Sequence, residues 1–301
     1  MSGGGAKGAF QYGALAYLKS KGMQFSAVSG VSVGALNGAM VAMGKVPELG
    51  EVWNTISNEK VYSGGLNLHG LVRILTGRRS FFSNNPLKKI IDQHVHAEDF
   101  KIPYTCGLVD LTSGDYFSIQ VSRMHLSHTV REAILASTAI PIIWEPVSFI
   151  SWVYASVCTN AVDGGLRNQT PLADMIRVSD VDEIVVILTS DPVCLPAVAN
   201  SQLKTVDQIA LQAIDIMSHE IYYSDVAGAL RVNNLVKQAS EKGMVLTNGS
   251  GTPYRYVPIK VIAPTQIMPG MLDFSTASVQ GSIQHGTARA TEVMENYQWG
   301  E

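Results

Sequence analysis

The sequence predicts an α/β domain with a central, mostly parallel sheet that helices cover on both faces. Helical and strand-like patterns alternate through most of the 301 residues, as in folds built from repeated strand–helix units. The run Glu183–Thr189 is apolar almost throughout, which is typical of a parallel strand buried on both faces. Hydrophobic residues make up 46% of the chain and charged residues 16%, enough for a large core. Because no repeat or linker interrupts residues 1–301, we expect one domain.

The first hundred residues are predicted to be mainly helical. Apolar residues recur there at helical spacing, and Gly or Pro residues bound the periodic stretches. The predicted elements are a helix over Ala9–Lys21, a strand over Phe25–Ser29, and helices over Val33–Met43, Pro47–Ile56 and Pro86–Val95. Residues 58–85 are less regular, and we interpret their apolar stripe either as core or as a surface that contacts lipid.

The rest of the chain carries alternating strand and helix patterns. Thr112–Asp115 is a turn motif between two strand-like runs, which predicts a hairpin. The predicted strands are Ile102–Leu111, Tyr116–Val121, Val147–Ile150, Trp152–Val157, Glu183–Thr189 and Tyr256–Ala263. The predicted helices are Leu126–Ser137, one that begins at Pro171, two over Val206–Gln238 that Gly228 separates, and one from Ser275 to about Tyr297.

The charge and cysteine content exclude several classes of protein. The net charge is −3 and no run of Lys and Arg is longer than two residues, so we expect no nucleic-acid partner. Cys106, Cys158 and Cys194 are widely spaced and indicate neither a disulfide framework nor a metal site. The N-terminus has no basic-then-apolar leader, so we expect a cytoplasmic protein whose membrane contact is at most peripheral.

Ser32 stands at the centre of the most informative motif in the chain. It lies between Gly30 and Gly34, after a strand-like run and before small residues that can form a helix. This is the pattern of a nucleophile elbow, a sharp turn that pushes a serine hydroxyl outward. Glycines avoid side-chain clashes in such a turn, and the first N–H groups of the helix favour a developing negative charge. A chance Gly/Ser turn is the alternative interpretation.

The glycine run at the N-terminus has three possible interpretations, and the chain lacks features that the first two require. Gly3, Gly5 and Gly8 match the spacing of a dinucleotide-binding turn, but no strand precedes them. No acidic residue lies between Gly8 and Glu48 to bind a ribose. The run does not match a Walker-type phosphate loop, because the residue after Lys7 is neither Ser nor Thr. The third interpretation is a cradle of backbone N–H groups for an anion, which beside the serine would be an oxyanion hole.

A serine nucleophile needs a base, and Asp163 is the better of two kinds of candidate. His219 and His285 are the best placed of the seven histidines for a Ser–Asp–His order, but both fall inside predicted helices. Asp163 follows an apolar run and precedes Gly164 and Gly165, which allow other backbone to approach. Burial raises the pKa of a carboxyl group, so an aspartate bonded directly to the serine can act as the base. A plain turn aspartate is the alternative.

Taken in this order, the glycine run Gly3–Gly8, the elbow Gly30–Gly34 and the triplet Asp163–Gly165 resemble the patatin-like phospholipase family. Further similar stretches, which extend the resemblance over nearly the whole chain, are Ala136–Pro141, Pro146–Val147, Asn168 with Pro171, and Leu272–Ser275. The resemblance implies a three-layer α/β/α sandwich that hydrolyses lipid acyl esters through an acyl-serine intermediate. It implies no metal or organic cofactor.

The resemblance also implies a role for each motif. Ser32 would be the nucleophile and Asp163 the base of a Ser-Asp dyad. The oxyanion hole would consist of the backbone N–H groups of Gly3, Gly4, Gly5, Ala6, Lys7 and Gly8. Lys7 stands where the family often carries Arg, and we expect it to orient the loop. The glycines that shape the two turns would be Gly30, Gly34, Gly164 and Gly165.

The chain departs from the family at its start. In the family an apolar strand leads into the glycine loop, whereas here only Met1 and Ser2 precede Gly3. A loop without that strand would be poorly preorganised as an oxyanion hole. We therefore expect lower activity than in a protein with an apolar segment before the loop.

Three other functions are compatible with the sequence. The first is a carboxylesterase or thioesterase for short, soluble esters, which would differ from a lipase in its chain-length preference. The second is a catalytically silent lipid-binding module, although the chain keeps the serine, the aspartate and the glycine loop. The third is a nucleotide-binding protein that a dinucleotide would stabilise. Candidates for peripheral membrane contact are the apolar residues of 66–82, Trp144, Phe149, Ile150 and Trp152.

Overall fold

The computed structural model of the protein describes residues 1–65, 68–121, 126–148, 158, 160–178, 180–191 and 203–295. The strands in these ranges are β1 (Val28–Val31), β2 (Ser63–Gly64), β3 (Phe82–Ser83), β4 (Tyr104–Asp110), β5 (Tyr116–Val121), β6 (Ala161–Asp163), β7 (Ile184–Ile187) and β8 (Ile259–Ile262). The α-helices are α1 (Gly8–Ser20), α2 (Val33–Ala42), α3 (Val46–Thr55), α4 (Asn58–Val61), α5 (Leu68–Leu75), α6 (Asn85–His94), α7 (Ser127–Ser137), α8 (Leu172–Val178), α9 (Val206–Glu241) and α10 (Thr276–Glu295).

Most of the predicted elements are confirmed, with ends that shift by a few residues. The helices α1, α2, α3, α6, α7 and α10 lie where helical spacing predicts them. The β4–β5 hairpin is confirmed, and β7 pairs in parallel with β8 as its apolar sequence predicts. The first strand begins three residues later than predicted, at Val28 instead of Phe25.

The predicted break of the long helix at Gly228 is wrong, because α9 continues through it to Glu241. An exposed glycine in a helix costs only about 1 kcal/mol relative to alanine, which the rest of a 36-residue helix offsets. The start of α9 is fixed by a capping box between Thr205 and Gln208.

The strand-like runs predicted over residues 147–157 are described only at their start. Val147 pairs with Ala161 in an isolated antiparallel bridge. Some residues named in the predictions lie outside the described ranges. They include Phe149, Ile150, Trp152, Cys194 and Tyr297.

The sheet around β4 is mixed, whereas the sequence predicted a mostly parallel one. β1 lies parallel to β4, but β5 and β6 are both antiparallel to it. The short loop between β4 and β5 is one cause, since parallel strands need a much longer crossover connection. β7 and β8 form a separate parallel pair.

The first two residues of the chain connect these two sheets. The Met1 amino group donates to the Ser29 carbonyl at 2.7 Å, and the Val31 N–H donates to the Met1 carbonyl at 3.3 Å. The Ser2 N–H donates to the Ile187 carbonyl at 3.2 Å. Met1 and Ser2 thus bond to both β1 and β7 before the chain enters the glycine run. Burial lowers the pKa of the Met1 amino group to about 5.

Helix α1, which begins where the glycine run ends, packs tightly against α10. A Cβ atom on Gly13 would lie 2.1 Å from the Ile283 carbonyl oxygen, and one on Gly286 would lie 2.0 Å from the Phe10 carbonyl oxygen. The two glycines therefore let the helix backbones touch. This contact anchors the helix that follows the glycine run.

Within the described ranges, no helix is both long enough and apolar enough to cross a membrane. Of the side chains considered for lipid contact, Phe82 and Trp144 are buried in the core. Val72 and Leu75 on α5 are exposed. The apolar stripe of residues 66–82 is therefore divided between core and surface.

Candidate active site

Two strand ends meet beside β4 and bring Ser32 next to Asp163. β1 runs parallel to β4, and its last residue, Val31, pairs with Gly107. β6 runs in the opposite direction along the next part of β4, and its last residue, Asp163, pairs with Leu108. Since β5 occupies the other edge of β4, β1 and β6 share one edge and point toward each other. The residue after β1 and the last residue of β6 are therefore neighbours.

Ser32 is buried in a sharp turn with an unusual backbone conformation. Its φ is 55° and its ψ −127°, a combination that residues with a Cβ atom rarely adopt. The flanking glycines permit the turn. A Cβ on Gly30 would lie 2.1 Å from the Gly34 carbonyl oxygen, and one on Gly34 would lie 2.4 Å from the Met1 carbonyl oxygen.

Ser137, at the end of α7, holds this turn in place. The Ser32 N–H donates to Ser137 Oγ at 3.0 Å, and Ser137 Oγ donates to the Gly107 carbonyl at 2.6 Å. The hydroxyl thereby ties the elbow to β4. Sequence reasoning assigned Ser137 no role of its own, because a serine at a helix end has no distinctive pattern.

Asp163 is only 5% exposed and accepts a hydrogen bond from the turn that follows it. The Gly165 N–H donates to Oδ1 at 2.8 Å. Burial raises the pKa of Asp163 to about 7, while the nearby Ser32 side chain and the Gly165 N–H lower it by less than burial raises it. A carboxyl group with this pKa can take up and release a proton near neutral pH.

The turn that follows β6 packs closely on its surroundings. A Cβ on Gly164 would lie 2.5 Å from the Gly107 carbonyl oxygen, and one on Gly165 would lie 2.5 Å from Gln169 Nε2. A Cβ on Gly3 would lie 2.3 Å from Gln169 Oε1. Gln169 therefore lies between this turn and the glycine run. Its Oε1 is buried and has no hydrogen-bond partner among the described residues.

The glycine run forms a tight turn in which most N–H groups are bonded within the protein. Gly4 and Gly5 have φ angles of 140° and 58°, which favour glycine. The N–H groups with protein acceptors belong to Gly3, Ala6, Lys7 and Gly8. In the described part of the chain, no acceptor is present for the N–H groups of Gly4 and Gly5. These two groups are the ones left to bind an anion.

The glycine run is supported by β7 and α9. The Gly3 carbonyl accepts hydrogen bonds from the hydroxyl groups of Thr189, just after β7, and Tyr222 on α9. The buried Lys7 forms an ion pair with Asp215 of α9, with 2.6 Å between Nζ and Oδ1. Sequence reasoning missed Thr189, Tyr222 and Asp215, because their spacing does not distinguish them from other polar residues.

Two cavities meet at Ser32. The larger one, the α9 cavity, has a volume of about 250 Å³ and contains both Ser32 and Asp163 in its wall. The smaller one, the α2 cavity, has a volume of about 90 Å³ and contains Ser32 and Gly5 in its wall. The α9 cavity is further lined by Gly4, Lys7, Gln169, Ile214, Asp215 and Tyr222. Of the described residues, Ser32 alone lines both cavities.

The structure does not bring His219 or His285 to Ser32. His219 Nε2 lies 2.9 Å from the Asp191 carbonyl oxygen, and the His285 ring lies edge-on to Phe10. Neither lines the α9 or the α2 cavity. The structure therefore places neither histidine at Ser32, whereas Asp163 lies in the wall of the same cavity as Ser32.

Comparison with known proteins identifies the family. A sequence model described as patatin-like phospholipase matches residues 1–176, which is more than half of the chain. The chain belongs to the patatin-like phospholipase family. The matched residues include the glycine run, Ser32 and Asp163. Asp215 and Tyr222, which support the glycine run from α9, lie beyond them.

The solved structures similar to this chain include VipD from Legionella pneumophila. VipD is 10% identical to this patatin-like phospholipase, with a TM-score of 0.44. The match covers 98% of this chain and 66% of the VipD chain, so this protein spans slightly less than two thirds of VipD. No curated protein matches the sequence.

Proposed function

We propose that this patatin-like phospholipase hydrolyses carboxylic esters of lipids with a Ser-Asp dyad, in which Ser32 is the nucleophile and Asp163 the base. The observation that carries the proposal is the meeting of the ends of β1 and β6, which brings Ser32 and the buried Asp163 into the wall of one cavity. Both residues line one cavity, so a substrate carbonyl in that cavity could reach the serine hydroxyl.

The proposed reaction begins with transfer of the Ser32 hydroxyl proton to Asp163. Asp163 accepts the proton of Ser32 Oγ while Oγ attacks the carbonyl carbon of the ester. The C–O bond to the alcohol then breaks, and Asp163 returns the proton to the leaving oxygen. Water next attacks the acyl-serine, with Asp163 taking one proton from water and returning a proton to Ser32 Oγ. The fatty acid leaves and both residues are restored.

The N–H groups of Gly4 and Gly5 are the best donors for the oxyanion that forms in each step. They lack acceptors among the described residues, and Gly4 and Gly5 line the two cavities that meet at Ser32. The bonded N–H groups of Gly3, Ala6, Lys7 and Gly8 would then shape the loop. Two donors preorganised in this way typically account for a large share of the rate.

The proposal extends to the fold that the family implies, a three-layer α/β/α sandwich in one domain over residues 1–301. In support, both α2 and α7 pack on β4, and α10 packs on both α1 and β8. These contacts place helices against both sheets.

The proposal is tested by hydrolysis of p-nitrophenyl esters and of fluorogenic phospholipid vesicles. We expect Ser32→Ala and Asp163→Asn to lose at least 100-fold in kcat/KM while they remain folded by circular dichroism. Asp225→Asn is the control, because burial also raises the pKa of this less buried carboxyl group, to about 6. It does not line either cavity at Ser32, so its effect should be much smaller. If Asp163→Asn keeps most of its rate, Asp163 is not the base.

A further inference from the structure

Gln169 has a buried side-chain oxygen to which no described residue donates a hydrogen bond. The residue is 7% exposed, and its Oε1 has no partner among the described residues. Its backbone, in contrast, is bonded on both sides. The Gln169 N–H donates to Asp225 Oδ2 at 2.8 Å, and its carbonyl accepts the Gly3 N–H at 3.2 Å. Most buried polar atoms are paired, so an unpaired acceptor on a residue that is held in this way is suited to bind a molecule that enters the cavity.

Gln169 lines the α9 cavity between the two turns of the active site. The position that a Cβ on Gly3 would take lies 2.3 Å from Gln169 Oε1 and 3.1 Å from Ser32 Cβ. Oε1 is therefore within about 5.4 Å of Ser32 Cβ, the sum of these two distances. On its other side the amide lies against Gly165, whose N–H donates to Asp163. The amide is thus next to the turns that hold the nucleophile and the base.

The second half of the proposed reaction requires a hydrogen-bond acceptor that the first half does not. In acylation the Ser32 hydroxyl carries one hydrogen, and Asp163 takes it. In deacylation the attacking water carries two hydrogens, and Asp163 takes only one of them. A second hydrogen without an acceptor in a buried cavity is unfavourable, because the water has given up its hydrogen bonds in solvent. A water about 2.8 Å from Gln169 Oε1 would have that acceptor beside Ser32.

We propose that Gln169 positions the water that hydrolyses the acyl-serine, with Oε1 accepting the hydrogen that Asp163 does not take. This inference rests on the proposed ester hydrolysis at Ser32. The water oxygen bonds to the acyl carbon while one proton moves to Asp163. The bond between the acyl carbon and Oγ then breaks, and Asp163 returns that proton to Ser32 Oγ. The hydrogen bound to Oε1 stays on the water oxygen and leaves with the carboxylic acid.

Gln169→Met tests this role, because methionine has a similar length but lacks the amide group. With p-nitrophenyl butyrate, kcat/KM reports the steps up to acylation and should stay within threefold of the wild-type value. Hydrolysis of the acyl-enzyme should slow at least tenfold, as measured by mass spectrometry of the intact protein after excess ester is removed. A distorted active site would instead slow both steps, since acylation uses the same Ser32 and Asp163.

Thr170→Val is the matched control. Thr170 is 3% exposed, and its Oγ1 is also buried without a partner among the described residues. The Thr170 N–H donates to the same Asp225 Oδ2 at 2.9 Å, but the residue does not line the α9 cavity. Both kcat/KM and the rate of acyl-enzyme hydrolysis should therefore stay within threefold of wild type in this variant.

The outcomes separate this inference from the proposed function. Slower acyl-enzyme hydrolysis in Gln169→Met, with kcat/KM retained and Thr170→Val unaffected, supports the role of Gln169. Unchanged acyl-enzyme hydrolysis, an equal loss in kcat/KM, or an equal effect of Thr170→Val would overturn it, while an acyl-enzyme on Ser32 would still support the proposed function. If the wild type forms no acyl-enzyme on Ser32 and cleaves no ester, the proposed function and this inference both fail.

Discussion

Ser32 keeps its positive φ because its neighbours determine the turn. Ser137 Oγ accepts the Ser32 N–H, and the carbonyl groups of Met1 and Gly34 fill the space where side chains on Gly34 and Gly30 would lie. A conformation of this kind costs about 1–3 kcal/mol and persists only where surrounding contacts impose it. The turn places Ser32 at the same cavity as Asp163, whose pKa burial raises to about 7.

The raised pKa of Asp163 predicts the pH dependence of activity. The base must be ionised to accept the Ser32 proton, so kcat/KM should rise with pH and level off above an apparent pKa near 7. The measurement is kcat/KM for p-nitrophenyl butyrate from pH 5 to 9. A profile that is flat over this range would contradict the assignment of Asp163 as the base.

The same pKa predicts the pH dependence of stability. Between about pH 4 and pH 7 the Asp163 carboxyl is protonated in the folded protein but ionised in the unfolded chain, so folding stability falls as pH rises. Asparagine does not titrate and avoids this loss. Asp163→Asn should therefore raise the free energy of unfolding by about 2–4 kcal/mol at pH 8 and by much less at pH 4.5. Urea unfolding at the two pH values measures the difference, and an equal effect at both would count against a buried, protonated carboxyl.

Among single residues, the sequence identifies those site residues that belong to a local motif. Gly30, Ser32 and Gly34 form a local pattern, and a glycine pair follows Asp163. Ser137 and Tyr222 could not be predicted, because each contacts the site through a hydroxyl that is brought there by a distant helix. The pairing of Ser32 with Asp163 was predicted from the apolar run and the two glycines around Asp163 and from the family resemblance, because no distance along the chain indicates it.

At the scale of elements, the glycine run is fixed by α1 on one side and α9 on the other. α1 starts at the end of the run and touches α10 backbone to backbone. α9 contributes Asp215 and Tyr222 to the same run. The preorganisation of the N–H groups of the run therefore depends on helix packing as well as on local turns.

The α1–α10 contact predicts that two glycine substitutions change the free energy of unfolding in opposite directions. Gly13→Ala places a Cβ atom 2.1 Å from the Ile283 carbonyl oxygen, so it should lower the free energy of unfolding by roughly 1–3 kcal/mol. Gly281→Ala, in the interior of α10, meets open space and should raise it by up to about 1 kcal/mol. Urea unfolding of the two variants tests this, and a neutral Gly13→Ala would show that the helices are not in backbone contact.

The ion pair between Lys7 and Asp215 predicts that removing Asp215 destabilises the protein more than removing Lys7 does. The Lys7 side chain is 5% exposed and that of Asp215 20% exposed. Asp215→Ala leaves a buried ammonium group without its partner and should cost about 3 kcal/mol of stability. Lys7→Met should cost less, because water can reach the remaining carboxylate. Thermal unfolding of both variants gives the order, and the reverse order would contradict the burial of Lys7.

Elements with strong local patterns could be predicted, and those set by tertiary contacts could not. The motif Thr112–Asp115 predicts the β4–β5 hairpin. Gly228 misled the prediction of α9, because a glycine on the exposed face of a long helix is tolerated. β6 has only three residues, too few for a periodic pattern, and its direction depends on its pairing with β4.

At the scale of the whole molecule, the mixed sheet creates the site. If β6 ran parallel to β1 along the same edge of β4, its carboxyl end would point away from Ser32. Because β6 is antiparallel, both strand ends meet between Gly107 and Leu108. The prediction of a mostly parallel sheet was wrong for β6, whose antiparallel direction brings Asp163 next to Ser32.

The central claim is that Asp163 activates Ser32, and covalent labelling tests it most directly. A decyl fluorophosphonate mimics the acyl ester and reacts with an activated serine, and peptide mass spectrometry locates the adduct. We predict one adduct, on Ser32, with a labelling rate at least 100-fold lower in Asp163→Asn and unchanged within about threefold in Asp225→Asn. Labelling of another residue, or an unchanged rate in Asp163→Asn, would contradict the account.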